Sequence, residues 1–189
     1  MSSALPLPPE LERVLFTRPQ LRRRVARLGR RITVDYAGKN LVLVTVLRGG
    51  AFFLTELALA IDLPLTVDFL AISGFPGATV QPRVVQVLKD LEEDLAGKDV
   101  LLVEDVVDTG LTLAYILRLL RARRPASLEV CTLLDKNARR IVDIPLRYVG
   151  FQVPDVFVVG YGLDYRQRFR NLPFIGVLRE ETLADPSRA

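Results

Sequence analysis

The sequence predicts an α/β protein: a central, mostly parallel sheet flanked by helices, with a smaller cap over one end. Three observations lead there. Oily runs such as "LVLVTVL" (41–47) and "DVLLVED" (99–105) lack the polar alternation of a half-exposed strand, so both their faces must be covered. Helical patterns separate these runs, as crossovers between parallel strands require. After residue 145 the rhythm gives way to short strands with no helices between them, which suits a cap.

The elements follow in order. Leu21, Val25, Leu28 and Ile32 recur at helical spacing, and Thr17 with Gln20 makes a capping box, so a helix is expected over about 17–37. Strand 41–47, helix 51–62 and strand "LTVDFLAIS" (65–73) come next, then a loop, "GFPGATVQP" (74–82). Strands "VVQVLK" (84–89) and 99–105 precede a helix over 109–123 and strand "LEVCTLL" (128–134). "RYVGF", "DVFVVGY" and "FIGVL" supply the short strands at the end. At 189 residues, the chain fits a single domain.

Composition removes several chemistries. The chain has no histidine, which excludes Ser-His-Asp and Cys-His catalysis and imidazole metal ligands. Acid–base work falls to Asp, Glu, Lys or Tyr, and any metal must be a hard ion held by oxygen. The one cysteine, Cys131, lies in an expected buried strand; no disulfide is possible within one chain, so a reducing, cytoplasmic setting is expected. "MSSALPLPPE" lacks the pattern of a signal peptide. The oiliest window, 41–61, contains Arg48 and Glu56, each costing roughly 2.5–3.5 kcal/mol at mid-membrane, so no membrane association is expected. The net charge of +4 comes mainly from "TRPQLRRRVARLGRR" (17–31). Its arginines fall mostly off the apolar stripe and no aromatic residues interleave to stack bases, so the segment reads as a solvated helix face rather than a nucleic-acid site.

Ligands of open parallel sheets bind beyond the carboxyl ends of the strands. That rule selects Arg48-Gly49-Gly50, the 74–82 loop, Glu104 to Thr112, and Asp135-Lys136. In "VLLVEDVVDTGLTLAYIL" an oily strand ends in two adjacent carboxylates, Glu104 and Asp105, with a third at Asp108. Packing does not ask for three repelling charges. Asp108, Thr109, Gly110, Leu111 and Thr112 then lie between strand and helix, where a close backbone, hydroxyls and a helix N-terminus make a phosphate cradle. A sugar phosphate explains both halves: the cradle takes the phosphate and the acids take hydroxyls.

"VLLVEDVVDTGLTL" resembles the phosphoribosyl pyrophosphate (PRPP) signature of the type I phosphoribosyltransferases. With "CTLLDKNARR", "YVGFQVPDVFVVGYGLDY" and "FRNLPFIGVL", the chain from Thr17 to Leu178 resembles the bacterial hypoxanthine-guanine members. The resemblance implies the type I fold: a core over about 17–145 and a hood from about 146–189 that takes part of the N-terminus. It implies transfer of phosphoribosyl from PRPP to a 6-oxopurine, in a homodimer or homotetramer. Glu104 and Asp105 would hold the ribose hydroxyls, directly or through Mg2+. Asp108 would act at N7 of the base, and Thr109 to Thr112 would hold the 5′-phosphate. Arg48, Gly49 and Arg170 would bind pyrophosphate. Lys136 would donate to the 6-oxo group, Phe157 would stack on the purine, the Val158 backbone would meet its edge, and Asp164 would lie beside the base and reach magnesium.

Two departures stand out. Arg48-Gly49 occupies a position where the family usually has Lys-Gly, or another residue before Gly, in a loop that often adopts a cis peptide. The lid, normally Ser-Ser-Tyr-Gly, reads Ser73-Gly74-Phe75-Pro76, so Gly74 and Phe75 lose a hydroxyl and a phenol. Looser closure, with lower turnover or more PRPP hydrolysis, is expected. Restoring Ser and Tyr at 74 and 75 should raise the ratio of transfer to hydrolysis, and an unchanged ratio would exclude the idea. A different class of function, a non-catalytic PRPP- or nucleotide-sensing regulator, is the alternative; the joint presence of Asp108, Lys136, Asp164 and Arg170 favours the enzyme.

Overall fold

The computed structural model describes residues 7–73 and 86–184. The chain runs β1 (Leu11–Phe16), α1 (Arg18–Asp35), β2 (Leu41–Val46), α2 (Gly50–Ala60), β3 (Leu65–Ser73) and β4 (Gln86–Lys89). It continues through β5 (Asp99–Val107), α3 (Leu111–Arg121), β6 (Ser127–Asp135), a 3-10 turn at Asn137–Arg139, β7 (Tyr148–Gln152), β8 (Val158–Val159), β9 (Ile175–Leu178) and α4 (Glu180–Ala184).

The main sheet has six strands in the order β4-β3-β2-β5-β6-β7. All pairings are parallel except β3 with β4. Alternate residues of the oily strands face opposite layers, as a doubly covered sheet demands. Leu41, Leu43, Leu101 and Val103 pack with Leu21, Val25, Leu28 and Ile32 of α1 and with Phe53, Leu54 and Leu57 of α2. Val42, Val44, Val100 and Leu102 pack with Leu113, Ile116, Leu117 and Leu120 of α3. Cys131 is fully buried among the first set.

A second sheet, ordered β1-β9-β8, draws strands from both halves of the chain. Leu11 stands opposite Leu178 and Phe16 opposite Ile175. It joins the main sheet through stacking of Phe16 on Phe151 of β7, with ring centroids 4.1 Å apart.

Most elements lie where the sequence puts them, and the departures have local causes. The expected helix 109–123 begins at Leu111, because Gly110 turns the chain at φ +85. The expected strand 155–161 shrinks to Val158–Val159, because Gly160, Tyr161 and Gly162 all take positive φ. "RYVGF", expected among the strands of the cap, instead forms β7 and extends the main sheet alongside β6. The sequence reading has no counterpart to β1 or α4. In β1 only Leu11 is buried, so the strand leaves no periodic apolar signal. The capping box at α1 does form: Gln20 Oε1 accepts from the Thr17 N–H at 2.8 Å and from its hydroxyl at 2.7 Å.

One contact sets how closely the two helices approach. A Cβ on Gly29 of α1 would lie 2.3 Å from the carbonyl oxygen of Ala60, which ends α2. Gly29→Ala should therefore force the helices apart and cost about 1–3 kcal/mol, read as a lower urea midpoint at unchanged m. Among the described residues, no helix is long and apolar enough to cross a membrane.

Candidate active site

The carboxyl ends of β2, β5 and β6 converge beneath the segment that links β8 to β9. Glu104 and Asp105 stand side by side near the end of β5. Burial pushes the Glu104 carboxyl well above its ordinary range, the neighbouring Asp105 charge adds to this, and the Val46 N–H partly offsets it. Its Oε1 is buried with no hydrogen-bond partner. Burial also raises Asp105, to about 6, against the lowering effect of nearby N–H groups and Arg170. The Val106 N–H donates to Asp105 Oδ1 at 2.7 Å.

Gly49 allows the β2–α2 loop to meet this acid. A Cβ there would fall 1.8 Å from Asp105 Oδ2, so any larger residue would have to push that carboxylate aside. The preceding Leu47–Arg48 peptide is cis.

Past β5 the chain makes a tight turn through Asp108, Thr109 and Gly110 into α3. The Ile141 and Val142 N–H groups donate to the Thr109 carbonyl at 2.9 and 3.1 Å, and Arg140 Nε donates to the Asp108 carbonyl at 3.2 Å. Arg140 also pairs with the buried Asp135. The turn is thus held from behind by the segment after β6. Glu104, Asp105, Asp108, Thr109, Gly110 and Thr112 line a recess of about 300 Å³ at the start of α3. Leu111 is not part of that lining; its side chain is 45% exposed.

Beside the recess is a cleft of about 380 Å³. Arg48, Gly49, Asp105, Asp108, Lys136, Phe157, Val158, Asp164 and Arg170 line it, together with Val106 and Leu163. Lys136 directly follows β6 and is only 7% exposed. Burial depresses its ammonium and Arg139 adds to this, while Asp108 and Asp155 oppose it. Phe157 is unusual for a phenylalanine in an oily segment in being 38% exposed; it meets Tyr165 edge-on. Asp108 Oδ1 is buried without a partner, while Oδ2 faces Arg139 at 3.2 Å.

The far wall is cationic. Arg170 donates to the Gly162 carbonyl at 2.7 Å and pairs with Asp164 Oδ1 at 2.7 Å. Gln167 Oε1 accepts from Arg170 at 3.1 Å and from Arg48 at 3.2 Å, and its own N–H donates to Asp164 Oδ2 at 2.8 Å.

The structure therefore brings together the site residues expected from the sequence, Leu111 through its backbone at the start of α3 and not its outward side chain; Gly74 and Phe75 lie outside the described residues. Sequence reasoning missed Arg139, Arg140 and Gln167. The doubled arginine just after a strand end that bears Asp135 and Lys136 was a signal for the first two; Gln167, in "DYRQRFR", gave none. Among the described residues, no three His, Cys, Asp or Glu side chains form a metal cage. The donor set suits magnesium nonetheless, because that ion takes one or two carboxylates and completes its shell with substrate oxygens. The unpartnered Glu104 Oε1 and the disfavoured negative charge on Glu104 and Asp105 are what such a cation would relieve.

A surface with acids at its centre, a helix start on one side and arginines on the other suits a sugar carrying phosphate at both ends. Residues 15–166 match the phosphoribosyl transferase domain. The chain is 49% identical over 177 residues to a hypoxanthine-guanine phosphoribosyltransferase of Mycobacterium avium, covering 90% of this chain and 87% of that one. It is 47% identical over 165 residues to a hypoxanthine phosphoribosyltransferase of Salmonella typhimurium, covering 86% and 93%. A crystal structure of a hypoxanthine phosphoribosyltransferase from Staphylococcus aureus superposes with a TM-score of 0.89 at 46% identity, covering 93% and 96%. The chain belongs to the phosphoribosyltransferase family, in the branch that holds the hypoxanthine-guanine enzymes.

Proposed function

We propose that the protein salvages purines, transferring the 5-phosphoribosyl group of PRPP to N9 of hypoxanthine or guanine to give IMP or GMP. The bond from C1′ to N9 forms as the bond from C1′ to the pyrophosphate oxygen breaks, and pyrophosphate leaves with that electron pair. The observation that carries the reading is the meeting of Asp108, Lys136, Arg48 and Arg170 in one cleft, beside the Thr109–Thr112 turn.

Each residue has a role that its setting supports. Thr109, Gly110 and Thr112, with the N–H groups at the start of α3, hold the 5′-phosphate. Glu104 and Asp105 face the ribose hydroxyls, and their negative field favours the cationic, oxocarbenium-like sugar over the ground state. Asp108 stands at N7 of the purine, where it takes the proton or balances the charge that develops as N9 bonds. Lys136 donates to the 6-oxo group, Phe157 stacks on the ring and the Val158 backbone meets its edge. Arg48, Gly49 and Arg170 receive the pyrophosphate. Glu104, Asp105 and Asp164 are the residues that would hold Mg2+, which neutralises substrate oxygens when bound.

Further expectations accompany this reading. The protein works in the cytoplasm, in keeping with its buried free thiol at Cys131. It assembles as a homodimer or homotetramer; the exposed apolar side chains of Leu47, Phe52 and Leu59, on and just before α2, suit burial against another copy. Light scattering on the purified protein checks this.

The test of the activity offers hypoxanthine, guanine, xanthine and adenine separately to the protein with Mg2+ and PRPP. Nucleotide from the first two over several turnovers supports the reading, and PRPP binding without nucleotide from any base overturns it. Lys136→Met should lower kcat/KM for hypoxanthine by about 10–100-fold, the worth of one charged hydrogen bond, and should leave the poor rate with adenine unchanged.

A further inference from the structure

We propose that Gln167 is a positioning residue: its single side-chain oxygen holds Arg48 and Arg170 together in the geometry that receives pyrophosphate. The inference rests on the reading of those arginines as the pyrophosphate clamp. Two guanidinium groups repel, and each ends a long side chain with many rotamers. Here both donate to one atom, Gln167 Oε1, at 3.2 and 3.1 Å. An amide oxygen has two lone pairs, enough for both donors. It is also neutral, so it aligns the two cations without cancelling the charge an anion needs. A carboxylate in that place would cancel part of it.

The backbone fixes this oxygen as firmly as the side chain does. Gln167 N–H donates to Asp164 Oδ2 at 2.8 Å, while Asp164 Oδ1 pairs with Arg170 at 2.7 Å. Asp164, Gln167 and Arg170 therefore close a ring of three interactions, and Arg48 is attached to it from the other side of the cleft.

A second, independent observation is the conformation of the turn. Tyr165 and Arg168 bond to each other's backbone, and the two residues between them, Arg166 and Gln167, have φ of 51 and 66. Turns with two positive φ values are the province of Gly, Asn and Asp. A long side chain at the second position is the poorer choice for the turn, and it finds its use in the two arginines it reaches.

The experiment measures pyrophosphate binding to the full chain with Mg2+ by calorimetry, alongside KM for PRPP and for hypoxanthine. Gln167→Met keeps the length and removes the acceptor. Gln167→Asn suits the turn but is too short to reach both arginines. Both should weaken pyrophosphate and raise the KM of PRPP about tenfold, the cost of ordering two side chains on binding, with hypoxanthine KM unmoved. In an Arg48→Met background, Gln167→Met should add much less than its own separate effect, since one of its two clients is gone. Fully additive losses, an equal rise in hypoxanthine KM, or unchanged pyrophosphate binding would each overturn the proposal. If Arg48→Met and Arg170→Met both bind pyrophosphate normally, the clamp reading itself fails. If they lose binding and the Gln167 variants do not, only the positioning role fails.

Discussion

Asp108→Asn should lower turnover by about 10²–10⁴-fold, the usual worth of a positioned acid or base, while changing PRPP affinity far less. The setting explains why the loss falls on the chemical step. Asp108 follows β5 in the turn that leads to α3, so its backbone place is secured by Arg140 and by the bonds to Thr109 whatever side chain it bears. Asn fits the same space and still accepts from Arg139. What it cannot do is take a proton from the purine or balance a positive charge beside it. The unpartnered Oδ1 is the atom the substitution affects. Single-turnover kinetics with hypoxanthine, set beside calorimetry with PRPP, separate the two quantities. Full activity in the variant removes Asp108 from the mechanism.

The double variant Glu104→Gln/Asp105→Asn should move activity and stability in opposite directions. On the proposed reading it removes two charge-assisted contacts to the ribose, so kcat/KM for PRPP should fall by about 10²–10⁴-fold. The ligand-free fold should gain about 2 kcal/mol, because Asp105 alone is held near 6 against an ordinary 3.8, and each unit of that shift is worth about 1.4 kcal/mol before the water in the open cleft is allowed for. The sign with pH follows. A carboxyl whose folded value is raised binds its proton more tightly in the folded state. Its contribution is most favourable below the unfolded value and is lost as pH rises through the folded one. The stability difference, double variant minus wild type, should therefore grow between roughly pH 4 and pH 6.5 in EDTA, by urea titration. A flat difference across that window would contradict the burial argument.

How far the sequence foretold this arrangement depends on what each feature needed. Strands β2, β5 and β6 were legible because a doubly covered strand must be oily throughout, and the carboxylates at the end of β5 were legible because they break that rule. Strand β3 was placed to the residue. Lys136 was picked out by its place past a strand end, while its role and that of Arg170 came from the resemblance, since a cation's purpose shows only once its surroundings are known. Strand β1 escaped because its partner, β9, is remote in sequence and only Leu11 is buried. Gln167 escaped for the same kind of reason: an exposed glutamine has no local signature, and its importance lies in meeting Arg48 from a distant segment.

The pairing of β1 with β9 also predicts an order of events during folding. Strands β2 to β7 lie within one continuous stretch of chain, whereas Leu11 pairs with Leu178, nearly the full length of the chain away, so that pairing is expected to close last. Phe157, Asp164 and Arg170 are carried on the segment that closes this last pairing. The main sheet can thus be assembled while half the cleft is still missing, so the capacity to bind substrate arrives late, as a report that both ends of the chain have found each other.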